Sequence, residues 1–360
     1  MNAKMQRMTD FLLNNAGPSI QLRVRKEILR DISPGAVTDL QNKILEEKTL
    51  RFIAGKQKDN GWIGNGFHGA GKDAGQYDNQ ETATKYMGEK GLHGTVLLNR
   101  AMEAYATTEL TDPCYGTRGW YFSEFEIPAF GQNMIRCACI ARAHYDDVMD
   151  IAPQIEVALA SFRRVTEVDS ILDVTRPAKH FRLFNNGERW PCRYHLEILA
   201  FTEGWKNPGN IAVLAEAFRR LMRTDRKAYI GLPVACWVGH PVGPLWSLTE
   251  GYSLADGAYL PAPDGEGVQR LNLEKIEWLV RCGLYGHVPA LKEAVERIAD
   301  SVDENGICRV NILEKEFRGW GPYGGLQLEP DWRSCTRKAC DITCRALLIL
   351  YYAGKVYGQR

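Results

Sequence analysis

The sequence predicts an all-α fold, an α/α toroid in which helical hairpins place an inner ring of helices inside an outer ring. Three observations carry that reading. Apolar positions recur at helical spacing along most of the chain. Polar Asn-Gly turns return between them. Strand patterns are weak and confined to long loops at 229–238 and 308–312.

The first segment reads as helices with clear stops. Segment 5–13 ends before Gly17-Pro18, and segment 20–32 ends before Ser33-Pro34. Proline removes a backbone donor and biases the preceding residue away from the helical region. Segment 37–55 carries Leu40, Ile44, Leu50 and Ile53 near helical spacing. The basic run Arg23-Val24-Arg25-Lys26 reads as one solvated helix face.

The turn pattern comes next. Gln57-Lys58-Asp59-Asn60-Gly61-Trp62 is echoed by Asn185-Asn186-Gly187-Glu188-Arg189-Trp190 and, with the aromatic replaced, by Asp303-Glu304-Asn305-Gly306-Ile307-Cys308. Asn-Gly supplies the left-handed backbone that closes a helix, and the tryptophan can cap the hairpin end. Apolar stretches at 92–105, 194–201 and 340–352, with 133–143 and 273–282, predict the inner ring. The amphipathic stretches 210–223 and 288–302 predict the outer one.

The chain has 360 residues, 45% of them hydrophobic, enough for a large core. No Pro/Gly/Ser-rich or charge-biased linker divides it, so residues 1–360 read as one domain. Residues 1–56 form N-terminal helices packing on a toroid built from 57–360. Lys plus Arg is 45 and Asp plus Glu is 44, a balance that argues against a polyanion binder and a nucleic-acid partner. No run of about 18 apolar residues predicts a membrane span. No leader of the secretory type is visible. Ten cysteines without a CxxC pair fit buried thiols in a reducing compartment, so the expected location is cytoplasmic.

The order Phe52, Gln57, Gly61-Trp62 resembles the QW-type repeat of the squalene–hopene cyclase and protein prenyltransferase superfamily. Pro18-Ser19-Ile20-Gln21-Leu22-Arg23, Lys85-Tyr86 with His93-Gly94-Thr95, and Ala143-His144-Tyr145-Asp146-Asp147 resemble segments of small bacterial squalene-cyclase-like or prenyltransferase-like proteins. The likeness implies the toroid and a central cavity for an isoprenoid-like small molecule. The Asp-x-Asp-Asp acid cluster of the cyclases and the zinc site of the prenyltransferases are both missing from the sequence.

Candidate ligand-binding residues are therefore those expected at the mouths of the inner helices. They are Trp62, His68, Tyr86, Arg118, Trp120, Tyr121, Trp190, Arg193, Tyr194, Trp237, His240, Trp320, Tyr323, Trp332 and Arg333. Aromatic walls with a few convergent polar groups are the usual pattern of a ligand pocket. Filling of the funnel by those same tryptophans is the competing reading. His93 and His195, each expected one turn into an inner helix, are the acid–base candidates, with Glu124, Glu126, Glu188 and Asp331 as carboxylates nearby.

Asp146, Asp147 and Asp150 spell DDxxD, which either holds a magnesium ion against a diphosphate or caps the next helix. Cys335, Cys340 and Cys344 are either zinc ligands or buried thiols. No dinucleotide, P-loop or metalloprotease motif appears, so no cofactor is expected. The glycine-rich stretch 319–325 reads as a mobile loop or lid. Three functions stay open: isoprenoid-like ligand binding or conversion, a carbohydrate-active hydrolase or lyase, and a non-catalytic scaffold.

Overall fold

The computed structural model describes residues 2–68, 77–115, 130–178, 181–185, 188–223, 234–235, 251–255, 270–321 and 324–354. The described chain is all-α, with fourteen α-helices and a single small sheet. The N-terminal layer comprises α1 (Ala3–Asn15), α2 (Pro18–Arg23), α3 (Pro34–Leu45) and α4 (Lys48–Lys56), with a π-helical turn at Val24–Leu29 after α2. Then come α5 (Gln80–Glu89), α6 (Val96–Thr107), α7 (Phe130–Arg142), α8 (Ala152–Glu167), α9 (Arg193–Phe201) and α10 (Pro208–Leu221). The chain continues through α11 (Leu273–Arg281), α12 (Pro289–Asp300), the short α13 (Glu314–Phe317) and α14 (Cys335–Ala353). Strand β1 (Thr175–Ala178) pairs antiparallel with β2 (Phe181–Phe184), which pairs in parallel with β3 (Val234–Ala235).

Local chemistry sets the helix starts. The side chains of Asn2, Ser33, Thr95, Asn207, Asn272 and Ser334 accept backbone amides in the first turns of α1, α3, α6, α10, α11 and α14. Gly61 and Gly306, the glycines of two Asn-Gly turns, have φ of +86° and +78°. Gly187 lies outside the described residues.

Helix α5 packs on α7, α7 on α9, α9 on α11 and α11 on α14. These five form an inner row. Every residue of α5 is buried, as are Tyr194–Phe201 of α9 and Cys340–Ile349 of α14. Helix α6 packs outside α5, α8 packs outside α9 and against α10, and α12 covers α11 and α14. Helix α1 lies along α14.

The connections are asymmetric. Inner helices lead to outer ones through short turns at 90–95, 143–151, 202–207 and 282–288, while outer helices return through long segments. Tyr194 and Glu81, at the starts of α9 and α5, bond each other, and Arg142 and Glu89 meet at the ends of α7 and α5. The inner helices thus run side by side in one direction, with their N-termini at one end, the mouth.

Two sequence expectations are corrected here. Stretch 92–105 was expected in the inner row, but α6 is an outer helix whose Val96, Asn99, Arg100 and Glu103 are exposed. The inner position belongs to α5, whose polar sequence QETATKYMGE hid it from a hydropathy reading. Of the stretch 319–325, expected to be a mobile loop or lid, the described residues 319–321 and 324–325 are tied down by Gly321 N–H to Gly324 O at 2.8 Å and Gly325 N–H to Glu316 O at 3.1 Å.

Candidate functional site

The interior between the inner helices holds a continuous ion network. Six cations (Arg23, Lys85, Arg142, Arg193, Arg281, Arg345) meet six carboxylates (Glu27, Glu81, Glu89, Glu197, Glu274, Glu277), as counted among the described residues. The most exposed of these side chains, that of Glu27, is 19% accessible. Arg345 joins Glu89 at 2.9 Å to Glu277 at 3.0 Å, and Arg142 joins Glu89 at 3.1 Å to Glu197 at 2.8 Å. Lys85 continues from Glu197 at 2.7 Å to Glu81 at 2.9 Å. A lone buried charge is very costly, so matched numbers and shared partners are the condition for this interior to exist.

Arg142 is caged by aromatic rings. Its guanidinium carbon lies 5.1 Å from the Phe201 ring, 5.4 Å from Trp278 and 4.8 Å from Trp320. Such rings attract a cation through their quadrupole. The aromatic centre is therefore occupied, in the described region, by a guanidinium of the chain itself.

At the mouth the network ends in two adjoining groups. The first is Glu81, on the first turn of α5. Its Oε1 accepts from Tyr194 Oη at 2.9 Å and Lys85 Nζ at 2.9 Å, while Oε2 meets His68 Nδ1. Burial alone would raise this carboxyl; Lys85 and then His68 outweigh it and hold the group down at about 2. Glu81 is thus ionised at any working pH, and it fixes the ring orientation of His68, an arrangement that suits a carboxylate–histidine acid–base pair.

The second group is Arg193, next to Tyr194 at the start of α9. Its Nη2 donates to both oxygens of Glu274 at 2.9 Å, and its guanidinium stacks on Trp278 at 4.8 Å. Arg193 and Glu274 line a cleft of about 50 Å³, together with Asn272, Lys275, Glu316, Phe317 and the apolar Leu271, Leu273, Ile312 and Leu326. That volume holds about three to five waters, or one end of a small ligand.

The structure places His68, Arg193 and Tyr194 at the mouth. Trp62 is buried among Phe67, Tyr105 and Tyr115, its Nε1–H bonded to Thr108 Oγ1 at 3.0 Å. Trp190 packs on Phe184, and Trp332 donates to Asp341 Oδ2 at 2.6 Å. Tyr86 is buried midway along α5 between Tyr77 and Trp320. These aromatics fill space, the competing reading of the sequence. Arg333 is exposed on the segment before α14. Arg118, Trp120, Tyr121, Trp237, His240 and Tyr323 lie outside the described residues, as do Glu124 and Glu126.

The two acid–base histidines fall in different places, and only His93 lies off the inner helices. His93 is not on an inner helix but in the turn between α5 and α6, at the end away from the mouth, with its ring 4.5 Å from Tyr145. His195 is on α9 but accepts the Cys192 amide at Nδ1, and burial pushes it down to about 3. Burial thus keeps this ring neutral near pH 7. Arg23, expected on a solvated face, is buried with Glu27 and Glu89 because α2 packs against α14.

Glu188 pairs with Arg164 at 3.1 Å and Asp331 with Arg337 at 2.7 Å, both away from Glu81. Asp150 accepts the Ala152 amide at 2.9 Å and so caps α8, while Asp146 and Asp147 are exposed in the same turn. Cys335 is exposed while Cys340 and Cys344 are buried. Among the described residues no three His, Cys, Asp or Glu side chains are grouped to hold a metal. None of the described helices is long and apolar enough to cross a membrane.

Sequence reasoning missed Glu81, Glu197, Glu274 and the arginines behind them. The signal was present: Glu81, Lys85 and Glu89 repeat at every fourth residue, and Glu277 and Arg281 do the same. Opposite charges at that spacing share one helix face, which in an inner helix points inward. Comparison of this chain with protein-family models, with curated proteins and with solved structures finds no match.

Proposed function

We propose that this chain is a cytoplasmic carbohydrate-active protein whose site lies at the mouth of the inner helices of a toroid. The observation that carries it is the Glu81–His68 pair, with Tyr194 and Lys85 on the same carboxylate, one residue along α9 from the Arg193–Glu274 cleft. Sugars are bound by planar charged groups that hydrogen-bond neighbouring hydroxyls, beside an apolar face for the ring carbons. Arg193, Asn272 and Glu274 supply the first, and Phe317 and Leu326 the second. In this reading His68, oriented by Glu81, moves the proton in a hydrolase or lyase step, and Glu81 itself stays ionised.

The isoprenoid reading has less support. A prenyl chain needs a dry apolar cavity, whereas the interior between the described inner helices is charged and its aromatic cage holds Arg142. The closed toroid is supported by the Glu89–Arg345 pair, which joins the last inner helix to the first.

Thermal-shift titration tests the proposal, with oligosaccharides in one arm and farnesyl diphosphate plus Mg²⁺ in the other. A saturating ligand at 100 times its Kd adds about 2.7 kcal/mol of stability. The expected result is a shift with a sugar that disappears in Tyr194→Phe/His68→Gln. A shift with the diphosphate alone would return the isoprenoid reading, and no shift in either arm would favour a scaffold.

A further inference from the structure

Glu274 stands between two arginines. Arg193 holds it at 2.9 Å from the cleft side, and Arg142 lies 3.8 Å away on the network side. The contact with Arg193 uses a single guanidinium nitrogen, Nη2, for both carboxylate oxygens, which is not the two-nitrogen fork that makes Arg–carboxylate pairs strongest. Arg193 and Glu274 are each 11% accessible and both line the cleft. The inner wall also carries Lys275, whose ammonium donates to Ser253 O at 2.9 Å and sits 4.8 Å from the Tyr252 ring. Glu316, the other carboxylate of the lining, is exposed and solvated at the rim.

We infer that the cleft recognises a ligand carboxylate, so that the sugar taken by the proposed site is a uronide. The inference rests on the carbohydrate reading and deepens it. A ligand carboxylate takes the place of Glu274 on Arg193, and Glu274 moves the short distance to Arg142. One planar monoanion is thus exchanged for another on the same guanidinium. Every charge keeps a partner throughout, as a buried site requires. With Glu274 passed to Arg142, the wall presents Arg193 and Lys275 to the incoming group, which favours an anion over a neutral hydroxymethyl.

The test compares oligouronides (galacturonide, glucuronide and mannuronide) with their neutral methyl esters by isothermal titration of the full chain. The acid is expected to bind at least about tenfold more tightly than its ester, the scale of one hydrogen bond to a charged group. Arg193→Gln should abolish that ratio. Glu274→Gln, which removes the internal competitor, should raise the acid-to-ester affinity ratio above that of the wild type. The charge-matched double variant R193Q/E274Q, checked for an unaltered melting profile, keeps a lost ratio from being read as unfolding. Equal binding of acid and ester overturns the carboxylate inference and leaves the carbohydrate reading standing. Binding of neither overturns both.

Discussion

Arg345 on α14 donates to Glu89 on α5 at 2.9 Å, although 256 residues separate them in sequence and both side chains are 1% accessible. Glu89 also receives Arg23 at 2.5 Å and Arg142 at 3.1 Å, so three guanidiniums converge on one carboxylate. Burial favours the neutral acid; Arg345, Arg23 and Arg142 outweigh it and hold the group far below the usual carboxylate range.

That convergence makes Glu89 a keystone. Glu89→Gln leaves a net positive charge buried among three arginines. Breaking a buried pair by removing one partner costs about 3–5 kcal/mol, and this loss is expected in urea denaturation. A loss under about 1 kcal/mol would show that water reaches the arginines.

A pH-dependent stability term is expected from Glu329. The buried carboxyl accepts the Gly17 amide at 2.7 Å, and burial, helped by Asp341, lifts it to about 7; Lys90 and Arg337 act against that. Burial lifts Asp341 as well, to about 6. The folded state therefore binds these protons more tightly than the unfolded chain. Their stabilisation is full below the ordinary carboxylate pKa and is lost as pH rises through about 7. The stability difference between wild type and Glu329→Gln should fall by on the order of 1–3 kcal/mol from pH 4 to pH 8. A pH-independent difference would contradict it.

His195 acts in the opposite sense. Its folded pKa is depressed by burial, so the unfolded chain binds the proton more readily and stability declines as pH falls from about 6.5 toward about 3. His195→Asn, which keeps an acceptor near the Cys192 amide, should flatten this acid limb. The same substitution should leave sugar binding at the mouth unaltered. Loss of binding without loss of stability would place His195 in the site.

Gly61 tests the turn grammar directly. It combines φ of +86° with a close approach to the Arg100 carbonyl, where any Cβ would collide with backbone. Gly61→Ala should lower stability by about 2 kcal/mol or more, since left-handed strain and the clash both act. Gly55, whose surroundings are open, is the control, and its alanine variant should be near neutral or stabilising.

Much of the architecture was legible in the residues. The stops at Gly17-Pro18 and Ser33-Pro34, the Asn-Gly turns at Gly61 and Gly306 and the helical spacing of α10 and α12 all act over a few residues, so a local reading finds them. The site was legible only in part. His68, Arg193 and Tyr194 were named from their place before or at the start of inner helices, but the carboxylates they bind were not.

By itself the sequence determined that this protein is helical and where many helices begin and end. Only the tertiary structure decided that polar α5 is an inner helix while apolar 92–105 lies outside it. It also decided that Arg142 occupies the aromatic centre and that Glu81 aligns His68. The physical reason is common to all three. Local patterning reflects the transfer free energy of each side chain taken alone, and a charge taken alone belongs in water. Glu89 and Glu197 are buried because cations from other helices meet them, and that pairing exists only once the chain has folded.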